Sequence, residues 1–280
     1  MAVYRRLIPS TDPRLNRHVE HDDRSLAFAA PVIPRSAIQA HHWPRRCVVL
    51  DQLRIGSCVG NAFAGWVGTD NAVRQGRADV TEDTALDLYR RATRLDEFDG
   101  QWEPDDTGSS GLGGAKALQQ AGYATSYTHA FALAALATAL QSGPALIGVA
   151  WYQSMYDPAP DGRISVDPRS ALAGGHELIV DTFEPLTGPD DRYWITNSWS
   201  VSWAQEGRAY FTSADLATLL ADDGDVTVPA ALATPAPVPQ DADTVFAAQL
   251  HAGGWLSNRH TGANADVARA AKTWLTAKGL

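Results

Sequence analysis

Asp51-Gln52-Leu53-Arg54-Ile55-Gly56-Ser57-Cys58, followed at long range by Gly175-His176 and then by Tyr193-Trp194-Ile195-Thr196-Asn197-Ser198-Trp199, is the set of segments whose reading decides the fold. A thiol attacks a carbonyl only as thiolate, so it needs an imidazole to take the proton and a positive environment to hold the charge. Gly56-Ser57 reads as a turn. The segment after it carries Val59, Phe63, Trp66 and Val67 at the i, i+4, i+7, i+8 spacing of one buried helical face. Cys58 then falls in the first helical turn, where unpaired N–H groups and the macrodipole favour an anion. A lone cysteine in such a helix is more often a small buried apolar residue than a nucleophile. The weight therefore rests on the three segments together.

In that order the segments resemble the papain-type cysteine peptidases. The resemblance implies Cys58 as nucleophile and His176 as the base that takes the thiol proton and later protonates the leaving amine. It implies Asn197 as the residue that accepts the other imidazole N–H and fixes the tautomer, with Trp199 lying over that bond. Gln52, six residues before Cys58, is placed to join the Cys58 backbone N–H in an oxyanion hole. His176 follows Cys58 by 118 residues and Asn197 by 139, against the about 130 to 150 usual in the papain and cathepsin signature, so a trimmed loop is expected between Cys58 and His176.

The likeness extends over about residues 45 to 215. The run from Asn197 to Gly207 is similar to the family's Asn-Ser-Trp-Gly-x-x-Trp-Gly-x-x-Gly, with Ser200 and Ala204 where the family has glycine. Asp106 to Gly114 resembles the loop whose backbone pairs with substrate two residues before the scissile bond, which makes Ser110, Gly111, Gly175 and Trp199 the expected substrate contacts. Ala115 to Gly122 reads as the helix after it. Ile55 replaces the family's usual cysteine and Val59 its tryptophan. Glu177, next to His176, is expected either to raise the histidine's pKa or to face solvent.

Only two cysteines, Cys47 and Cys58, occur in 280 residues, so a disulfide framework is excluded and a reducing setting fits. The thiol chemistry calls for no cofactor and no metal. His18 with His21, adjacent His41-His42, and Asp96, Glu97 and Asp99 before Gly100 lack the spacing of metal sites. A net charge of −9 argues against nucleic acid as partner, leaving a peptide or protein substrate. Met1 to Glu20 has four arginines but no apolar run of signal-peptide length, and no stretch is long enough for a membrane span. The expectation is a cytoplasmic or virion-associated protein outside Sec export, more like bacterial and bacteriophage members than lysosomal ones.

Residues 1–46 read as an extended, proline-broken segment and 47–228 as the peptidase domain. Within the domain, a helix is expected from Thr81 toward Leu95, with Glu82 and Asp83 in its first turn, and another over Phe131 to Leu140. Strands are expected at 145–151, 177–183, 193–196 and 208–211. Helices first and strands second give an α+β class with a helical lobe, a β lobe and a cleft between them. Residues 229–241, rich in proline and alanine, read as a stiff linker, and 242–280 as a two-helix appendage able to dock a protein partner. Two rival functions share these residues. One is a peptidoglycan amidase or transamidase on the same triad. The other is a catalytically silent structural or adhesive component of a larger assembly, whose sign would be a cleft blocked by residues 1–46 or by the C-terminal helices.

Overall fold

Helix α1 (Cys58–Val67) is buried along its whole length, where its apolar spacing predicts one buried face. The computed structural model describes residues 2–22, 30–231 and the helical positions 272, 273 and 276. In it α1 packs on α2 (Glu82–Leu95) and α3 (Gly111–Gln120) and also against the central strands of a sheet. Gly60, Ala62, Ala64 and Gly65 give the faces that a two-sided contact needs. Thr81 starts α2 through a capping box with Thr84, and Ser110 starts α3 by accepting the Gly113 N–H at 2.9 Å. Helix α3 therefore begins four residues before the expected Ala115.

The seven-stranded sheet is antiparallel. Its order is β5 (Ala124–Ala130), β10 (Asp225–Ala231), β6 (Ala145–Tyr152), β7 (Leu172–Glu184), β8 (Arg192–Thr196) and β9 (Arg208–Thr212), with β3 (His41–His42) against β7. Strand β6 reads as a continuous apolar run because both its faces are covered. Ile147 and Val149 join the β-lobe core with Trp151, Phe183 and Phe211, whereas Leu146 and Ile179 join Cys58, Phe63, Trp66 and Leu88 in the helical core. Helices α4 (Leu133–Ala139) and α5 (Ser213–Ala221) add Leu136, Leu216 and Leu219 to the β-lobe core.

Strand β10 extends to Ala231, so Pro229 to Ala231 belong to the sheet and not to the expected linker. Only Asp225 to Thr227 pair with β6, so Pro229, past the end of that ladder, costs it no hydrogen bond. The N-terminal segment also carries structure. β1 (Ala2–Arg6) pairs antiparallel with β2 (Arg17–Asp22), and β2 pairs parallel with β4 (Ser109–Ser110).

Met1–Ala233 form one compact unit and Thr234–Leu280 a second. In the second, Thr276 donates its hydroxyl to the Lys272 carbonyl at 3.0 Å, one helical turn back. The remainder of the expected linker and two-helix appendage lies outside the described residues. Among the described residues no helix is long and apolar enough to cross a membrane, and no cluster of three metal-binding side chains occurs.

Candidate active site

Three elements deliver the site. Cys58 is the first residue of α1, His176 lies in β7 opposite Val149 of β6, and Asn197 follows the last residue of β8. His176 Nε2 and Asn197 Oδ1 are 2.8 Å apart. An amide oxygen can only accept, so Nε2 carries the hydrogen and Nδ1 is the basic nitrogen. His176 Nδ1 has no hydrogen-bond partner. The Trp199 ring stacks on the imidazole at 5.0 Å between centroids and 28° between planes, and Trp151 meets it edge-on at 5.1 Å. The histidine is thus fixed in ring plane and tautomer by neutral groups.

Gln52 is tied on both ends of its amide. Its Oε1 accepts the Ser198 hydroxyl at 2.6 Å, and its Nε2 donates to Ile55 O at 2.8 Å and to Arg14 O at 3.0 Å. The last contact comes from the N-terminal segment, which runs through the space between the lobes. Asn16 bridges to Gly175 in parallel register and accepts the Ser109 N–H at 3.1 Å through its own carbonyl. A Cβ at Gly175 would lie 2.1 Å from Arg17 O, so only glycine admits the strand there. Leu15 is completely buried in the β-lobe core. The Arg14 guanidinium lies 4.3 Å from the Trp199 ring centroid, held by Asp12 at 2.7 Å. Cys58 and His176 are both 0% exposed.

This cover sets the protonation of the pair. Burial pushes the Cys58 thiol up to about 12, against the pull of backbone groups of Glu177, Asn16 and Val59. Burial pulls His176 down to about 4, opposed by its bond to Asn197. In the covered state both groups are therefore neutral, where the helix N-terminus and imidazole alone predict a thiolate.

No family model matches the sequence, and no curated protein is similar to it. Solved structures are. Xylellain, a cysteine protease from Xylella fastidiosa, superposes with a TM-score of 0.61 at 16% identity, over 80% of this chain and 99% of that one. Procathepsin L 3 of Tenebrio molitor larval midgut gives 0.53 at 13% identity, over 78% and 77%. Procathepsin B S9 of Trypanosoma congolense gives 0.52 at 9% identity, over 79% and 87%. The fold is papain-like.

Within the papain-like fold, the expected substrate contacts Ser110, Gly111, Gly175 and Trp199 all border the N-terminal segment or its pocket. Ser110 pairs with His18 and donates its hydroxyl to Glu20 at 2.6 Å, and Gly111 borders the pocket that holds the Arg17 side chain. Glu177 does neither thing expected of it. It is 1% exposed, and as the neighbour of His176 in a strand it points to the opposite face, toward Arg17 at 3.8 Å. Burial and Asp225 raise its pKa.

Asn16, Arg17 and Asp225 carried no signal that singled them out, and Asp106 was expected only as the start of the substrate loop. Asp106 accepts the Gly56 N–H at 2.8 Å and the Tyr89 hydroxyl at 2.6 Å, bracing the turn before Cys58. His18 is not a metal ligand in waiting. Its Nδ1 accepts the Ile8 N–H at 3.3 Å and its Nε2 donates to Thr107 O at 2.9 Å. Both cysteines are free.

Proposed function

We propose that the chain is a cysteine-type endopeptidase held latent by its own residues 12–22. The observation that carries this reading is the 2.8 Å His176–Asn197 bond under Trp199, which leaves Nδ1 a free base, while the backbone of the next residue, Glu177, reaches the Cys58 thiol at the helix N-terminus. Once a peptide replaces the covering segment, Nδ1 takes the Cys58 proton and the sulfur forms a bond to the scissile carbonyl carbon. The carbonyl π pair moves to oxygen, where the Cys58 N–H and the Gln52 amide receive it. Collapse of that intermediate breaks the C–N bond, and the Nδ1 proton goes to the leaving amine. Water then attacks the thioester, giving its proton to Nδ1, and the thiol is restored as the acid product leaves. Asn197 and Trp199 act as positioning residues through the histidine.

Arg14 O on the Gln52 amide supports the latent reading, because a backbone carbonyl of the segment already takes an oxyanion donor. Two of the structural neighbours are themselves proforms by name. The neighbours from Xylella, Trypanosoma and Tenebrio lend no weight to a bacteriophage origin.

The same cover favours a second reading, a silent structural component whose Cys58 never reacts. The two separate on a full-length Leu15→Ala variant, which loosens the cover. Peptide amides are expected to be cleaved by it and not by Leu15→Ala/Cys58→Ala. An exposed, alkylatable Cys58 with no turnover of peptides favours the silent component. Turnover of peptidoglycan fragments in place of peptides favours the amidase.

A further inference from the structure

The Arg17 side chain is 0% exposed and enters a pocket whose walls are acidic. Its Nη2 bonds Asp225 Oδ2 at 2.7 Å, its Nη1 donates to Asp223 O at 3.1 Å, and its Nε lies 3.8 Å from Glu177 Oε2. The pocket holds more acceptors than Arg17 uses. Both Glu177 oxygens and Asp225 Oδ1 are buried without a hydrogen-bond partner. Its space comes from Gly148, where a Cβ would lie 2.3 Å from Arg17 Nε, while a Cβ at Gly111 would crowd only Thr227 Oγ1, at 3.1 Å, and touch Glu177 Oε1 and Asp225 Oδ1 at ordinary contact distance. Two buried carboxylates facing one another without a cation are unstable, and burial together with Asp225 already raises the Glu177 pKa. One wall of the pocket, Glu177, lies beside the reacting sulfur, which its backbone reaches. Asn16, the residue before Arg17, has its backbone next to Cys58, and Arg17 is in register with Ser109.

We infer that the Glu177–Asp225 pocket selects substrates, taking the guanidinium of an arginine-bearing peptide at the residue that lies against Ser109–Gly111, two before the scissile bond. The covering segment then inhibits by presenting the side chain that the pocket is built for. It fills the pocket while running parallel to β4. This inference rests on the peptidase reading above.

The test uses the full-length chain with Arg17→Ala, which vacates the pocket. Its melting temperature is expected to rise saturably with N-ethylguanidine and not with the neutral isostere ethylurea, and the rise is expected to vanish in Arg17→Ala/Asp225→Asn. No rise, an equal rise with ethylurea, or a rise that survives Asp225→Asn overturns the pocket assignment. If Arg17→Ala does not fold, Arg17→Lys and Arg17→Met decide. A melting point for the methionine variant equal to that of the lysine variant overturns recognition of charge.

Peptide amides with arginine or leucine two residues before the cleaved bond complete the test in the Arg17→Ala background. Arginine is expected to be preferred by about 30-fold or more in kcat/KM, the loss usual when a buried charge pair is left half-made, and the preference is expected to collapse with Asp225→Asn. Preference for leucine overturns the inference and leaves the peptidase standing. Guanidine binding with no peptide cleaved overturns the peptidase reading and the substrate assignment with it.

Discussion

Leu15→Ala opens the site by a calculable amount. Leu15 is fully buried against the β-lobe core, and removing a buried leucine side chain costs about 2–5 kcal/mol. That cost is borne by the covered state and is relieved when the segment lifts away. The population of the open state therefore rises by about 30- to 5,000-fold, at about 1.4 kcal/mol per factor of ten. When opening and closing are fast compared with alkylation, the rate of Cys58 labelling by iodoacetamide is proportional to that population. Half-buried Cys47 serves as the internal reference. Intact mass and peptide mapping at pH 7 and 25 °C should show Cys58 labelling slowly in wild type and at least about 30-fold faster in Leu15→Ala, with Cys47 unchanged. A Cys58 rate equal to wild type, in a variant whose melting point has fallen, would refute the claim that this segment is what covers the thiol.

Three further outcomes are expected. Asn197→Ala frees the His176 ring to choose its tautomer and should lower kcat with little change in KM when built into Leu15→Ala, as measured on a peptide amide; equal kcat would remove Asn197 from its positioning role. His129 is held down to about 4 by burial, against the pull of Asp225, so its stabilising effect is whole above its unfolded value near 6.5 and is lost as pH falls toward 4. Urea unfolding at stepped pH should show His129→Gln gaining on wild type by up to about 3 kcal/mol over that interval, and a constant gap would contradict the assignment. Ala204 has φ of 48°, in the left-handed region that favours glycine, so Ala204→Gly should raise stability by about 1 kcal/mol, read as a higher urea midpoint.

What was legible in the sequence was local. The turn at Gly56-Ser57, the start of the helix at Thr81 and the apolar runs of β6 to β8 are patterns that a few consecutive residues complete, although β7 begins at Leu172, before the expected 177, and so takes His176 into the strand. Strand β2 was illegible for the opposite reason. Arg17-His18-Val19-Glu20-His21-Asp22 reads as a solvated charged tract, yet all six residues are buried. Its charges are tolerated because partners arrive from far along the chain, Asp225 for Arg17, Thr107 for His18 and Ser110 for Glu20. Strand β10 was hidden by its Asp225 start and by Pro229, which read as the onset of a linker. Glu177 could not be placed because its environment is made by Arg17 and Asp225, both distant in sequence. The site's chemical groups followed from short motifs, and the state those groups are in followed from a segment whose register no motif encodes.

The central claim is that Cys58 forms an acyl-enzyme with peptide substrates, and it is tested most directly by acid-quenching full-length Leu15→Ala during turnover of an arginine-containing peptide ester and weighing the intact chain. The account predicts one acyl adduct per chain, mapped to Cys58, absent in Leu15→Ala/Cys58→Ala and formed far more slowly in Leu15→Ala/His176→Ala. Hydrolysis without an adduct, or an adduct that persists when Cys58 is replaced, would contradict it.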